Sequence, residues 1–314
     1  MPLFILGISQ MSREEKASLL AQLNSMTSMN ILNEGVQKAL HSAKKFTLVK
    51  IARMFENLGA GDFARSLEKI DRVTEWNTNV LAAKIRGEME KLKLLNDTKL
   101  WQDIRLKMID IGGVDASASE EQIAEAVINR VAALYKLDTR TYPNIVAKEN
   151  AVFEACINDL IEQLQKKLNR MTMEEQDKFR KLLEDEIRSL SKANREAIKE
   201  ATGLQELSSQ ALLNFFKTTS GVAFAQMLVG ATGFGAFMFL TTTLKAISLL
   251  LGVSLPFGVY TVATSVLAFL LSGPFLLLVI ALSGGAILYK TNEDLKHQLA
   301  KILIVTGRAK LMGC

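Results

Sequence analysis

The sequence predicts an all-α protein, an amphipathic helical bundle followed by a C-terminal hydrophobic transmembrane helical hairpin. Three observations carry this. Only four of 314 residues are proline and 7% are aromatic, which suits long helices better than a sandwich or barrel of short strands. Apolar residues recur at three- and four-residue spacing through the first two-thirds of the chain, the period of one helix face. Beyond Lys217 the charges nearly stop: there are none over the 27 residues from Thr218 to Leu244 and none over the 44 from Ala246 to Tyr289, with Lys245 alone between them.

Residues 1–217 form the expected soluble helical domain. They hold 32 basic and 31 acidic side chains, interspersed as on the solvated faces of packed helices. The opening Met1-Pro2-Leu3-Phe4-Ile5-Leu6-Gly7-Ile8 is apolar but short, with no basic residue before it. It is therefore read as a segment buried against the first helices and not as a secretory signal. Ser12-Arg13-Glu14-Glu15 fits a capping box and starts a helix carrying Leu19, Leu20 and Leu23. A second helix through Phe46, Val49, Ile51, Met54, Phe55 and Leu58 stops at Gly59-Ala60-Gly61. Asp62 caps a third, with Phe63, Leu67, Ile70, Val73, Trp76, Val80 and Ile85 on one stripe. Gly112-Gly113 is a break, and Ser119 opens a helix through Ile123, Val127, Val131 and Leu134. Thr139 to Pro143 is a connector, with a sub-boundary near 139–144. The pattern Phe153, Ile157, Leu160, Leu164, Leu168 makes the next helix. Thr172-Met173-Glu174-Glu175 is a second capping box, before a charged helix lined by Phe179, Leu182, Leu183, Ile187 and Leu190. No alternating, strand-like run bounded by turn signals interrupts the series.

Residues 218–289 form the hydrophobic hairpin. A spanning helix takes about 20 apolar residues, so the run holds two, near 221–251 and 259–289. Gly252, Pro256 and Gly258 make the turn, and Gly273-Pro274 kinks the second span. Three shorter passes are another division of the run. A hairpin buried in the core of a soluble protein, or one hidden in one state and inserted in another, is the competing use of the same residues. Residues 290–314 carry a net +3. Positive flanks stay inside, which places both termini on the cytoplasmic side of the cytoplasmic membrane. Leu295, Leu299, Ile302 and Leu303 beside lysines make this tail a basic amphipathic helix on the membrane surface, or else a solvated C-terminal helix.

The apolar run offers a few polar candidates. Lys245 near mid-bilayer costs roughly 2.5–3.5 kcal/mol, so it either snorkels to the interface or lines a polar path. In the second case Thr241, Thr242 and Thr243 on its own span join it, with Thr261, Thr264 and Ser265 on the second. The same hydroxyls can instead bond back to helix carbonyls. Gly230, Ala231, Gly233, Gly235 and Ala236 form a small-residue patch, and the four-residue step from Ala231 to Gly235 allows close helix packing.

Signs of catalysis are missing from the sequence. His41 and His297 are its two histidines, and neither has a carboxylate or cysteine at metal-ligand spacing. There is no phosphate-cradling glycine loop, no dinucleotide fingerprint and no nucleophile turn. The abundant carboxylates, such as Glu184, Asp185 and Glu186, lie on a highly charged helix and read as solvated. Cys156 sits at an apolar helical position as a buried thiol, and Cys314 is not placed for prenylation. Two cysteines so far apart give no disulfide framework, in keeping with a reducing cytoplasm. Asn96-Asp97-Thr98 is a chance glycosylation triplet. A net charge of +5 over the whole chain is too dispersed for a nucleic-acid footprint. No metal, cofactor or nucleic acid is expected.

Several segments together are similar to a known family. Phe4-Ile5-Leu6 followed by Met11-Ser12-Arg13-Glu14-Glu15 resembles the opening motif of the bacterial YaaW-like proteins. Ile51 to Asp62, a helix ending at a glycine pair, resembles their next segment, and Met171-Thr172-Met173-Glu174-Glu175 a later helix start. Leu255-Pro256-Phe257-Gly258-Val259-Tyr260-Thr261 and Gly273-Pro274 resemble their apolar end. The chain departs from that pattern at Asp62-Phe63-Ala64. The resemblance implies a bacterial source and no activity, because the family has no settled function. The layout, a helical bundle carrying one long hydrophobic hairpin, is similar to the pore-forming domains of colicins, as an analogy only.

Together these features predict a membrane-inserting, pore-forming or membrane-disrupting effector. Its N-terminal helices shield, regulate or oligomerise the hairpin, and its partners are the lipid bilayer and further copies of itself. The alternative is a membrane-anchored adaptor that binds a protein partner through residues 1–217. An enzyme is not expected.

Overall fold

The computed structural model describes residues 1–27, 84–250 and 292–312, and these are helical with short connectors. Helix α1 (Leu3–Ser9) buries Phe4, Ile5, Gly7 and Ile8. Helix α2 (13–27) opens on the expected capping box: Ser12 N–H donates to the Glu15 carboxylate at 2.6 Å, and Glu15 N–H to Ser12 Oγ at 3.2 Å. Helix α3 covers 84–92.

Asn96, first residue of the glycosylation triplet, instead caps α4 (Asp97–Gly112), its side chain accepting from Lys99 N at 2.8 Å. Gly113 ends α4 with φ 70°, the left-handed conformation glycine adopts without penalty. Ser119 and Gln122 form the capping box of α5 (Glu120–Leu134), and Thr172 and Glu175 that of α7 (Met173–Ser189). Between them a 3-10 turn (Thr139–Thr141) leads into α6 (Ile145–Asn169), capped by Asn144. At 25 residues α6 is about 37 Å long.

Three short helices follow, and the sequence reading did not separate them. They are α8 (Lys192–Thr202), α9 (Ser209–Thr218) and α10 (Gly221–Val229), each begun by a serine cap, Ser191, Ser208 and Ser220. Helix α11 (Gly233–Leu250) and the C-terminal α12 (Asn292–Leu311) complete the described elements.

One apolar core joins these helices. The long α6 is its spine: α10 lies along it, and α5 and α12 also meet it. α12 is packed among α1, α4, α5 and α6, while α11 is packed against α7 and α8. All-α architecture is what the periodicity predicts.

Three expectations need correction. The first span, 221–251, is not one helix. It breaks at Gly230–Thr232, where Gly230 caps α10, and the two halves lie on different partners. Among the described residues no helix is long and apolar enough to cross a membrane. The tail, expected on a membrane surface or in solvent, is interior. Leu295, Leu299, Ala300, Ile302, Leu303 and Ile304 of α12 are buried, because surrounding helices supply both an apolar bed and carboxylates for its cations. The N-terminal run is buried as expected, and α12 lies against it.

The helices expected through Phe46 to Leu58 and from Asp62 to Val80 lie outside the described residues. So do the Gly252–Pro256–Gly258 turn, the second span 259–289 with Thr261, Thr264 and Ser265, the Gly273–Pro274 kink, His41 and Cys314.

Candidate functional site

The apolar run that begins at Thr218 enters the bundle through a set of close contacts. Gln165 on α6 donates to the carbonyls of Phe216 and Thr219, each at 2.8 Å, and so fixes the turn from α9 into α10. At Gly221 an added Cβ would overlap the Asn158 side chain, which sets how closely α10 lies on α6. Phe216, Phe224 and Phe239, from α9, α10 and α11, form a triangle with ring centroids 5.6–6.2 Å apart. Phe215 stands edge-on to Phe239 at 5.5 Å, and Phe237 meets Phe153 of α6 at 6.3 Å. Each such pair adds about 0.5–1.5 kcal/mol beyond its area burial, so Phe237 and Phe239 add to the apolar packing that holds α11.

On its other side α11 meets α8 at Gly235, where a Cβ would overlap the Ala197 carbonyl. Gly235 thus lets α11 approach α8 of the same chain closely. Gly230 and Ala231 do not share that seam. They fall in the break between α10 and α11 and are exposed, because Gly230 ends α10 in an extended conformation that turns the chain off the helix axis.

The polar candidates on α11 divide. Thr241, Thr242 and Thr243 are buried, and their hydroxyls donate to carbonyls one turn back: Phe237 and Met238, Met238, and Phe239, at 2.7–3.1 Å. This satisfies them within the helix, and it is the plainer of the two uses expected of them. Lys245 is half-buried on α11, and its charge acts on Glu186 of α7. Burial pushes the Glu186 carboxyl up, while the Lys245 charge pulls it down and Asp185 adds to the rise. Glu186 had read as a solvated carboxylate on a charged helix.

Two further polar clusters were not legible beforehand. Glu149 on α6 is fully buried. Its carboxylate accepts from the backbone N–H groups of Leu3 and Phe4, each at 2.7 Å, and so caps α1 from a distance of 145 residues and more. Arg308 of α12 lies 3.7 Å from the same carboxylate, donates to Asn150 Oδ1 at 2.6 Å and covers the Phe153 ring at 5.2 Å. Burial raises the Glu149 carboxyl in spite of Arg308 and the two backbone donors, and burial likewise lowers Arg308. One side chain therefore ties the first helix, the spine and the last helix together.

Nearly three turns further along α6, Asp159 accepts from Tyr135 OH and from Lys301 Nζ of α12, both at 2.9 Å, and from Gln163 at 2.8 Å. Lys301 also sits 4.7 Å from the centre of the Tyr135 ring. Burial would raise the Asp159 carboxyl, but Lys301, Gln163 and Tyr135 outweigh it and hold the group below the usual value. Next to this cluster Cys156 is buried as predicted, its thiol pushed up to about 12 mainly by burial. A thiol so held is no nucleophile at neutral pH.

Elsewhere, His297 is a tail residue whose Nδ1 lies 2.7 Å from the Glu293 carbonyl. Among the described residues no group of three or more His, Cys, Asp or Glu side chains is placed to hold a metal ion. A shallow, polar groove of about 560 Å³ runs between the starts of α5 and α6, lined in part by Glu121, Glu125, Tyr142 and Lys148. Comparison with protein-family models, with curated proteins and with solved structures finds no match to this chain.

Proposed function

We propose that this chain is a conditional membrane protein: a helical effector that stows an apolar, membrane-inserting segment inside its own bundle and releases it into a lipid bilayer, where it forms a pore or disrupts the membrane. The observation that supports this reading is the setting of α11. It lies in the long apolar run that begins at Thr218, carries Lys245 as its one charge and continues in the sequence to Tyr289, and it packs against α7 and α8. Those two helices turn apolar lines inward (Phe179, Leu183, Ile187; Ile198) while ten of the 17 residues of α7 are charged. Such helices are suited to sheathing an apolar element from water.

Among the described residues α11 has 18 residues, and no helix is long and apolar enough to cross a membrane. Joining α10 to α11 across Gly230–Thr232 would make one helix longer than the roughly 20 apolar residues a span needs. The Thr241–Thr243 hydroxyls are already bonded within the helix, so they travel into lipid at little cost. Lys245 is the one charge that must find the interface or a polar path. In the inserted state the basic residues after Tyr289 stay on the cytoplasmic side.

A second reading makes the apolar segment a plain anchor and gives residues 1–217 a protein partner. In its favour, Leu94, 90% exposed between α3 and α4, and Leu106 on α4, 55% exposed, are apolar side chains that such a partner would cover.

The test is partitioning of the full-length protein between cytosol and carbonate-washed membranes, together with dye release from liposomes. The expected result is a soluble pool that becomes carbonate-resistant and releases dye when membrane is offered. Carbonate-resistant protein that leaves liposomes intact selects the anchored adaptor. Protein that never associates with membranes of any composition refutes both.

A further inference from the structure

We propose that α12 is the clasp that keeps the apolar segment stowed, and that the partner that opens it is an anionic lipid surface. This rests on the membrane-inserting reading above and names its regulation.

The position of α12 is the first argument. It begins directly after the uncharged run and is seated among α1, α4, α5 and α6. While α12 is docked, the end of the apolar run is anchored to the bundle. The run ends three residues before Asn292, so drawing its end away from the bundle into a bilayer pulls on α12.

The second argument is what holds it. Four cations on α12 are each matched to a carboxylate elsewhere. Lys296 lies 3.0 Å from Asp110 of α4, Lys301 2.9 Å from Asp159 of α6, Arg308 3.7 Å from Glu149 of α6, and Lys310 3.0 Å from Glu15 of α2. In return Glu293 of α12 pairs with Arg130 of α5 at 2.5 Å. Beneath these pairs lie the buried Leu295, Leu299, Ile302 and Leu303.

The bundle thus offers α12 an apolar bed ringed by fixed anions. A bilayer containing anionic headgroups offers the same two things. A basic amphipathic helix binds such a surface by burying its apolar face while its Lys and Arg meet the headgroups. The two sites therefore compete for one set of side chains. A neutral bilayer supplies only half of what the bundle supplies and does not compete.

The geometry also sets an order. The Lys296 pair lies at the rim, with Asp110 61% and Lys296 16% exposed, so it is released before the buried pair. Glu149 is fully buried, so Arg308 is released last, together with the cap on α1.

The decisive experiment uses the two partners of the Lys296–Asp110 pair in the full-length protein. Asp110→Asn and Lys296→Gln break the same ion pair, and a urea unfolding curve for each variant checks that it is folded. Their effects on lipid binding must be opposite. Asp110→Asn removes the carboxylate that competes with headgroups for Lys296, leaving only its bond to the Asp110 carbonyl, and raises partitioning into phosphatidylserine-containing vesicles several-fold. Lys296→Gln removes one lipid-binding cation and lowers it about five-fold. Pure phosphatidylcholine vesicles bind none of the three proteins, and added salt weakens binding to the anionic ones. Equal binding to both vesicle types, or variants that shift binding in the same direction, overturns the clasp while leaving the membrane reading intact. No binding of any variant to any vesicle overturns both.

Discussion

Gly7 and Gly307 meet backbone to backbone where α1 lies on α12: a Cβ built on Gly7 would overlap the Gly307 carbonyl, and one built on Gly307 would overlap the carbonyl of Phe4. In an open helix position, replacing glycine by alanine gains up to about 1 kcal/mol. Here the added methyl meets main chain that cannot rotate away, and overpacking of that sort costs about 1–3 kcal/mol. Gly307→Ala should therefore lower the urea midpoint at unchanged m-value. Gly87→Ala is the control, since nothing lies within 4 Å of its added Cβ, and it should be neutral or stabilising. Equal behaviour of the two variants would mean that α1 and α12 are not in contact.

The buried Glu149 and the half-buried Asp159 of α6 should respond to acid with opposite sign. Burial raises Glu149, so the folded protein holds that proton more tightly than the unfolded chain does. Its contribution is complete below the ordinary carboxylate value and falls as pH rises through the higher folded value. Asp159 is held low, because Lys301, Gln163 and Tyr135 outweigh its burial. Its contribution is complete above the ordinary value and is lost as pH falls through the lower folded one. Urea unfolding at a series of pH values tests both. The stability lost in Glu149→Gln should shrink as pH rises above about 4, and that lost in Asp159→Asn should shrink as pH falls below about 4. Slopes of the same sign would show that burial and ion pairing have been weighed wrongly at one of the two.

Where the sequence could be read, the information was local. Ser12, Ser119 and Thr172 lie three residues from their capping partners, and Phe153, Ile157, Leu164 and Leu168 repeat within one helix, so short windows contain the whole signal. The break at Gly230 was also available, since α10 has a serine cap at Ser220 and a glycine end, but the unbroken lack of charge suggested a single span. The role of α12 was not available. Its basic residues look solvent-facing until Asp110, Asp159, Glu149 and Glu15, 142–295 residues away, are brought beside them. Glu149 itself is one acid among many on a mixed helix, and nothing nearby in the chain shows that it caps α1.

Cys156 is a natural reporter of the stowed state. Its thiol is buried and pushed up to about 12, so it should resist alkylation in the folded protein at neutral pH. In a Cys314→Ser background, labelling should accelerate by orders of magnitude in denaturant. If α12 leaves α6, Lys301 leaves the neighbourhood of Cys156 and Asp159 as well, and labelling should also accelerate on anionic vesicles. Fast labelling of the resting protein would show that this part of α6 is not covered.

Lys245 and Glu186 separate what stowing requires from what the bilayer requires. Glu186 belongs to α7 and is raised by burial, with Lys245 as the charge that opposes the rise. Removing either partner unbalances the stowed form, so Lys245→Leu and Glu186→Gln should both favour release. Only Lys245 travels with the apolar segment, and a lysine deep in the bilayer costs roughly 2.5–3.5 kcal/mol. If Lys245 enters that depth, Lys245→Leu should raise vesicle insertion well beyond Glu186→Gln, by up to about two orders of magnitude. If its stem instead reaches the interface, the two variants should insert alike, since a snorkelling lysine avoids most of that penalty. Should the inserted protein conduct, Lys245→Leu should also alter conductance when position 245 lines the path, whereas Glu186→Gln should leave it unchanged. Insertion weakened by Lys245→Leu would contradict both routes and remove position 245 from the inserting segment.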